Sequence, residues 1–156
     1  MKNIVLDKNN EQELYLLEYN DFDINIELKD NSKLIIYQYN VNTTGKVNVN
    51  LNGENAKLEY HFSTINYDDN SFKIIVNHNV SNTTSNIYNH GVNVNNNSLV
   101  FDVTGKVKKT SVKSIVNQEN QIINLDDGKS SIKPNLLIDN YDVSSSHAAY
   151  IGKFKN

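Results

Sequence analysis

Cysteine and arginine are both absent from the 156 residues, and proline occurs once, at Pro134. Without cysteine the chain can form neither a disulfide nor a thiolate metal site of its own. With a single proline and no Ser- or Gly-rich stretch, no internal linker is visible, and one domain is expected over residues 1–156. Alanine is limited to Ala56, Ala148 and Ala149. With helix formers this scarce, and Asn, Val and Ile abundant, an all-helical protein is excluded. Long apolar runs are missing as well. The N-terminus, MKNIVLDKNNEQ, turns polar after a few apolar residues, too few for a signal peptide or a membrane span. A cytoplasmic location with no membrane partner is the expectation.

Positive charge comes from 15 lysines alone, set against 18 acidic residues for a net charge of −3. The want of arginine, beside the Asn and Ile enrichment, fits an AT-rich coding bias. Lys106, Lys108 and Lys109 are the one basic cluster and read as a solvated strand edge, so no nucleic-acid partner is expected. Asn-x-Ser/Thr triplets such as Asn42–Thr44 are expected by chance in a chain with 29 asparagines.

What the chain does contain is alternation. Ile24, Ile26 and Leu28 alternate with polar partners, as do Val47-Asn-Val49-Asn-Leu51, Leu58-Glu-Tyr60-His-Phe62 and Leu99-Val-Phe101-Asp-Val103. Shorter runs lie at Leu34–Tyr37, Phe72–Val76, Val92–Val94, Ile122-Ile123, Leu136–Ile138 and Tyr150-Ile151. Period-two patterns of this length mark half-buried strands. Polar breaks separate them at Asp30-Asn31, Asn52-Gly53, Asp68–Asn70, Asn95–Asn97 and Asp127-Gly128. Strand centres recur at a near-constant interval, a rhythm shared by sandwiches, barrels and β-solenoids. Few breaks are two-residue hairpin turns, and the many asparagines could align into hydrogen-bonded ladders between stacked coils. Both features favour a solenoid, with a β-sandwich as the alternative.

The most specific segment is Pro134-Asn-Leu136-Leu-Ile138-Asp-Asn-Tyr-Asp142-Val143-Ser-Ser145-Ser-His147-Ala-Ala149-Tyr-Ile151-Gly152. It resembles the closing segment of the core in the SufB/SufD family of the SUF iron–sulfur cluster assembly system, P-x-L-E-I-x-x-x-D-V-x-C-S-H-G-A-T-x-G. Upstream, Ser85, Gly91, Phe101, Gly105 and Val107 fall on matching places. Gln118 to Leu125 resembles the next rung more loosely. The resemblance is strongest over residues 78–152.

That resemblance implies an all-β, right-handed parallel β-helix serving as a scaffold subunit. It implies as partners a SufB/SufD-like subunit, in a homodimer or heterodimer, and a SufC-like ATPase. It also implies a transient iron–sulfur cluster shared with the partner subunit. His147 is the candidate for cluster assembly, for the dimer interface and for metal ligation, since imidazole can replace thiolate on iron. Ser145 stands beside it, where the family carries a cysteine. The departures point the other way. No SufB-type cysteine lies in Gln118–Leu125, Ala148 replaces the glutamate after the histidine, and the ATPase-docking helices have no counterpart before Asn156. A structural or interaction solenoid that kept the fold without cluster chemistry is therefore the second reading.

Other candidates carry less. His61, His78 and His90 would make a metal site only by converging in space. The pairs Asp68-Asp69 and Asp126-Asp127 stand beside Asn or Gly, where aspartate is a turn residue. No Gly-rich phosphate loop occurs, and Ser144–His147 lacks the glycines of a nucleophile elbow. No enzymatic activity of the chain's own is expected.

Overall fold

The computed structural model describes residues 1–154. Among them lie twelve strands and no helix. Odd-numbered strands form one six-stranded sheet: β1 (Lys2–Leu6), β3 (Phe22–Leu28), β5 (Gly45–Leu51), β7 (Asn70–His78), β9 (Ser98–Val107) and β11 (Lys129–Ile138). Even-numbered strands form the other: β2 (Glu11–Glu18), β4 (Lys33–Val41), β6 (Lys57–Asn66), β8 (Thr84–Asn93), β10 (Ser114–Leu125) and β12 (Val143–Phe154). Every strand therefore pairs with the strand two places away, and each such pairing is parallel. The chain winds as a β-solenoid with two strands per coil. The β-sandwich alternative falls, because consecutive strands never pair and no ladder is antiparallel.

The interval between strands is less constant than the sequence suggests. Ile4 lies beside Ile26, 22 residues on, whereas Asn86 lies beside Asn117, 31 residues on. Coils therefore lengthen along the chain, from five- and eight-residue strands in the first coil to ten- and twelve-residue strands in the last.

In-register stacking sorts residues into rows that run along the solenoid axis. Inside, Ile4–Ile26–Val49–Val76 and Leu6–Leu28–Leu51 form aliphatic rows on the odd sheet. Phe62 stacks on Phe72 across the lumen at 3.7 Å, and Phe101 meets both edge-on. Each fully buried apolar side chain contributes about 1.5–3 kcal/mol. Gly91 and Gly105 also face the lumen. A Cβ at Gly91 would stand 2.8 Å from Leu99 Cδ2, and one at Gly105 would stand 2.5 Å from Val116 Cγ1. Both glycines make room for a large neighbour across the coil.

The abundance of asparagine has two structural causes. Asn9, Asn31, Asn55 and Asn82 occupy one corner of successive coils, and all four have φ between 53° and 68°. No glycine has positive φ, so asparagine serves as the left-handed corner residue, a conformation its short amide tolerates better than other non-glycine side chains. The second cause lies in the interior. Asn66 Nδ2 donates to Asn93 Oδ1 at 2.9 Å, and Asn93 Nδ2 donates to Asn124 Oδ1 at 3.0 Å. These three residues are in register and buried. Asn93 also donates to the Asn97 carbonyl at 2.7 Å, tying the ladder to the corner. On the outer surface Asn117 donates to Asn86 at 3.0 Å in the same way.

Removing one rung of the buried ladder breaks its buried amide–amide bonds on both sides and leaves a cavity, while the outer ladder can turn to water. Asn93→Ala is expected to lower unfolding free energy in urea by about 2–4 kcal/mol, and Asn86→Ala by less than about 0.5 kcal/mol. At the corner, Asn82→Ala is expected to cost about 1 kcal/mol and Asn82→Gly almost nothing, a difference that melting temperatures will read.

Candidate functional site

The wide end of the solenoid carries the sequence-marked residues. There β12 pairs with β10, which sets Ser145 beside Val116 and His147 beside Gln118. Val116 and Gln118 are buried lumen residues. Alternation therefore places Ser145 and His147 on the lumen side of β12, and Ser146 and Ala148 on the outer side. Ser146 confirms that placement, since its hydroxyl donates to Asn117 Oδ1 of the outer row at 2.7 Å. Both Ser145 and His147 are exposed all the same, because no strand among the described residues lies beyond β12. The segment is a strand, not the strand-to-helix turn that an elbow nucleophile requires.

Beneath His147 lies a polar layer that sequence reading did not single out. Gln118 Nε2 crosses the lumen to the carbonyls of Val103 at 3.3 Å and Asn135 at 3.4 Å. Asn120 Nδ2 donates to Gln118 Oε1 at 3.0 Å and to the Ala148 carbonyl at 3.3 Å. Asn89 Nδ2 donates to Asn120 Oδ1 at 2.8 Å, while Asn89 Oδ1 is buried without a partner. These bonds tie β8, β10 and β12 to β9 and β11 at the level of His147. The signal available in sequence was the alternation Ser114, Gln118, Asn120, Asn124 with Val116 and Ile122 along β10, which puts every one of these residues on one face.

Apolar surface surrounds the pair. On the lumen side of β11, Ile132, Leu136 and Ile138 are half-buried, and Ile151 of β12 is 44% exposed. The last coil thus presents an apolar rim around one imidazole and one hydroxyl. That donor set does not amount to a cluster site. Fe–S clusters are held by several soft ligands, and among the described residues no group of three or more His, Asp or Glu side chains converges.

The other histidines are dispersed. His78 is buried inside the odd sheet, bonded through Nδ1 to Thr83 Oγ1 and through Nε2 to Ser85 Oγ, each at 2.8 Å. His61 faces outward on the even sheet, stacked at 4.8 Å on both Tyr37 and Tyr88, with its Nε2 2.8 Å from Glu59. His90 is also on that outer face, in register with Ser63. A site built from all three is excluded, since the sheet wall separates His78 from the others. The acidic pairs lie in corners. Asp68 accepts from Asn42, Asp69 accepts from the Ser98 amide, Asp126 has φ 69°, and Asp127 pairs with Lys153 at 3.4 Å.

The fold and the end of its last coil define a parallel β-solenoid whose open final coil carries a Ser-Ser-His segment. A family model for the SUF system FeS cluster assembly SufBD core domain matches residues 10–156. The chain belongs to that family. No curated protein matches it significantly.

Burial lowers the His78 pKa from its ordinary value of 6.5 to about 4. Between these values the unfolded chain takes up a proton that the folded chain refuses. Stability is therefore expected to fall as pH drops from 6.5 towards 4, by about 2–3 kcal/mol at pH 4.5 for this group alone. Above pH 6.5 its contribution is constant. Urea unfolding of the chain and of His78→Leu at pH 7.5 and 4.5 checks the expectation, the variant showing the flatter profile.

Proposed function

We propose that the chain acts as a scaffold subunit in iron–sulfur cluster assembly. In this role it pairs through its last coil with a second SufB/SufD-like subunit, either another copy or a different chain. The observation that carries this reading is the place of His147. It lies on the lumen side of an exposed terminal strand, in a chain whose family assignment reaches from residue 10 to 156. The cluster is cargo in this reading. The chain supplies one imidazole at the join, and the partner subunit supplies the thiolates that a chain without cysteine lacks. The apolar rim of Ile132, Leu136, Ile138 and Ile151 supports pairing at the same place, since covering it removes apolar surface from water. We place the complex in the cytoplasm, with a SufC-like ATPase as a further partner and no reaction catalysed by this chain alone.

A second reading follows from the donor set. A hydroxyl at Ser145 is a poor ligand for iron, so the fold could persist as an interaction solenoid without cluster chemistry. Co-expression with the SufC-like ATPase and a full-length SufB-like protein of the same source separates the two. The scaffold reading expects stable recovery of at least one partner, lost in Leu136→Glu. It also expects at least a severalfold drop in iron and sulfide retained by the anaerobically loaded complex of His147→Ala, with pairing intact. Recovery of a homodimer alone, with iron content unaffected by His147→Ala, assigns the chain to the second reading.

A further inference from the structure

We propose that the outer face of the even-numbered sheet is a docking surface for an amphipathic α-helix of a partner protein, one that carries lysine or arginine along one flank. The two outer faces of the solenoid differ sharply. On the odd sheet a charged row, Asp23–Lys46–Lys73–Asp102–Lys133, crosses five strands. On the even sheet the row Leu17–Tyr39–Ser63–His90–Gln121–Tyr150 carries no carboxylate or ammonium group. Its neighbour Val41–Ile65–Val92–Ile123 is wholly aliphatic. On its other side runs the stack Tyr15–Tyr37–His61–Tyr88, with ring centroids 4.8 to 5.3 Å apart.

The strip is most open on β2, β4 and β12, whereas Val41, Ile65, Val92 and Ile123 are half-buried. Tyr15 is 74% exposed, Leu17 57% and Tyr39 40%. Parallel sheets are ordinarily covered on both faces, and a contiguous apolar strip on a soluble protein marks an interaction site. The strip is also shaped. Two shallow cavities meet at Tyr39 and Ser63, where the small serine side chain lowers the floor between larger neighbours.

Dimensions select the occupant. Six strands about 4.8 Å apart make the strip about 24 Å long, and three rows of alternate residues make it about 13 Å wide. A helix is about 10–12 Å across and covers 24 Å with about 16 residues. The strip itself covers only about 300 Å², well short of the roughly 800 Å² per partner of a stable pair, so the fitted helix binds weakly and reversibly. Charge selects the flank. Glu13 and Glu59 stand in the row beside the aromatic stack, and Glu119 continues the stack beyond Tyr88. Glu59 is already bonded to His61, and Lys33 and Lys57 lie one row farther out beside Glu11. The charges nearest the apolar strip are therefore acidic and favour a basic partner edge. The strip runs along the outside of the sheet as far as Tyr150 on β12, whereas His147 of that strand lies on the lumen side, so the proposal does not depend on the assembly reading.

The test uses a fluorescein-labelled synthetic peptide of about 18 residues, with leucines on one helical face and lysines along one flank, and a scrambled peptide of the same composition. Fluorescence anisotropy with the full chain is expected to give saturable binding of the amphipathic peptide, at least about tenfold tighter than the scrambled one. Tyr39→Glu and Ser63→Glu, each checked for fold by circular dichroism, are both expected to weaken binding at least about tenfold, and Lys73→Glu on the odd sheet to leave it unchanged. The proposal is overturned by equal binding of the scrambled peptide, by indifference to both face variants, or by no binding up to about 1 mM. Sedimentation that finds a dimer dissolved by Tyr39→Glu would give the face to a second copy instead and equally overturn it.

Discussion

A coil of two strands cannot satisfy its own backbone. Each strand bonds to the coil before it and the coil after it, and in-register parallel pairing is the constraint from which the rest of the molecule follows. Because register repeats, every side chain lies on a counterpart, and a residue type suited to stacking on itself or on a complementary partner is favoured at each row. Aliphatic rows fill the narrow coils, and asparagine rows bond head to tail. Aromatic rings stack where they face solvent. A buried amide would be costly in most cores, but here Asn66, Asn89, Asn93, Asn120 and Asn124 each find an amide partner 27 to 31 residues away in the next coil.

This also explains which parts of the fold could be read in advance. Strands such as Val47–Leu51 and Leu58–Phe62 alternate apolar-in and polar-out, so period two finds them at once. Most of β8, from Thr84 to His90, reads as a polar stretch because Ser85 and Asn89 face the lumen there. Inside and outside cannot be told apart by polarity where the interior row is asparagine. β2, Glu-Gln-Glu-Leu-Tyr-Leu-Leu-Glu, was missed for a different reason, since acidic residues crowd its start and its leucines are not β-branched. Corners with a left-handed asparagine look like any polar loop, since their signal is φ, which sequence does not display.

Of the candidate site, the motif was legible and its setting was not. Pro134 to Gly152 marks His147 by resemblance, but only the β10–β12 register puts its side chain towards the lumen. Gln118 and Asn120 brace the last coil through bonds to Val103, Asn135 and Ala148 that their residue types alone do not specify. Widening of the coils matters here as well. The narrow end is packed with Leu and Ile, whereas β8 and β10 bring Ser85, Asn89, Ser114, Gln118 and Asn120 into a longer perimeter. Polarity in the lumen rises towards the end that is exposed.

Chemistry at that end is limited by what the chain can donate. An imidazole is a competent ligand for iron, but it is a single donor. The neighbouring hydroxyl of Ser145 would have to lose a proton of high pKa to bind iron with comparable strength. A cluster held at this place therefore needs most of its ligands from another polypeptide. On the proposed reading, pairing precedes any iron chemistry. The braced last coil then serves to hold one nitrogen in fixed orientation against a surface this chain does not contain, and the rigidity comes from the same register that stacks the asparagines.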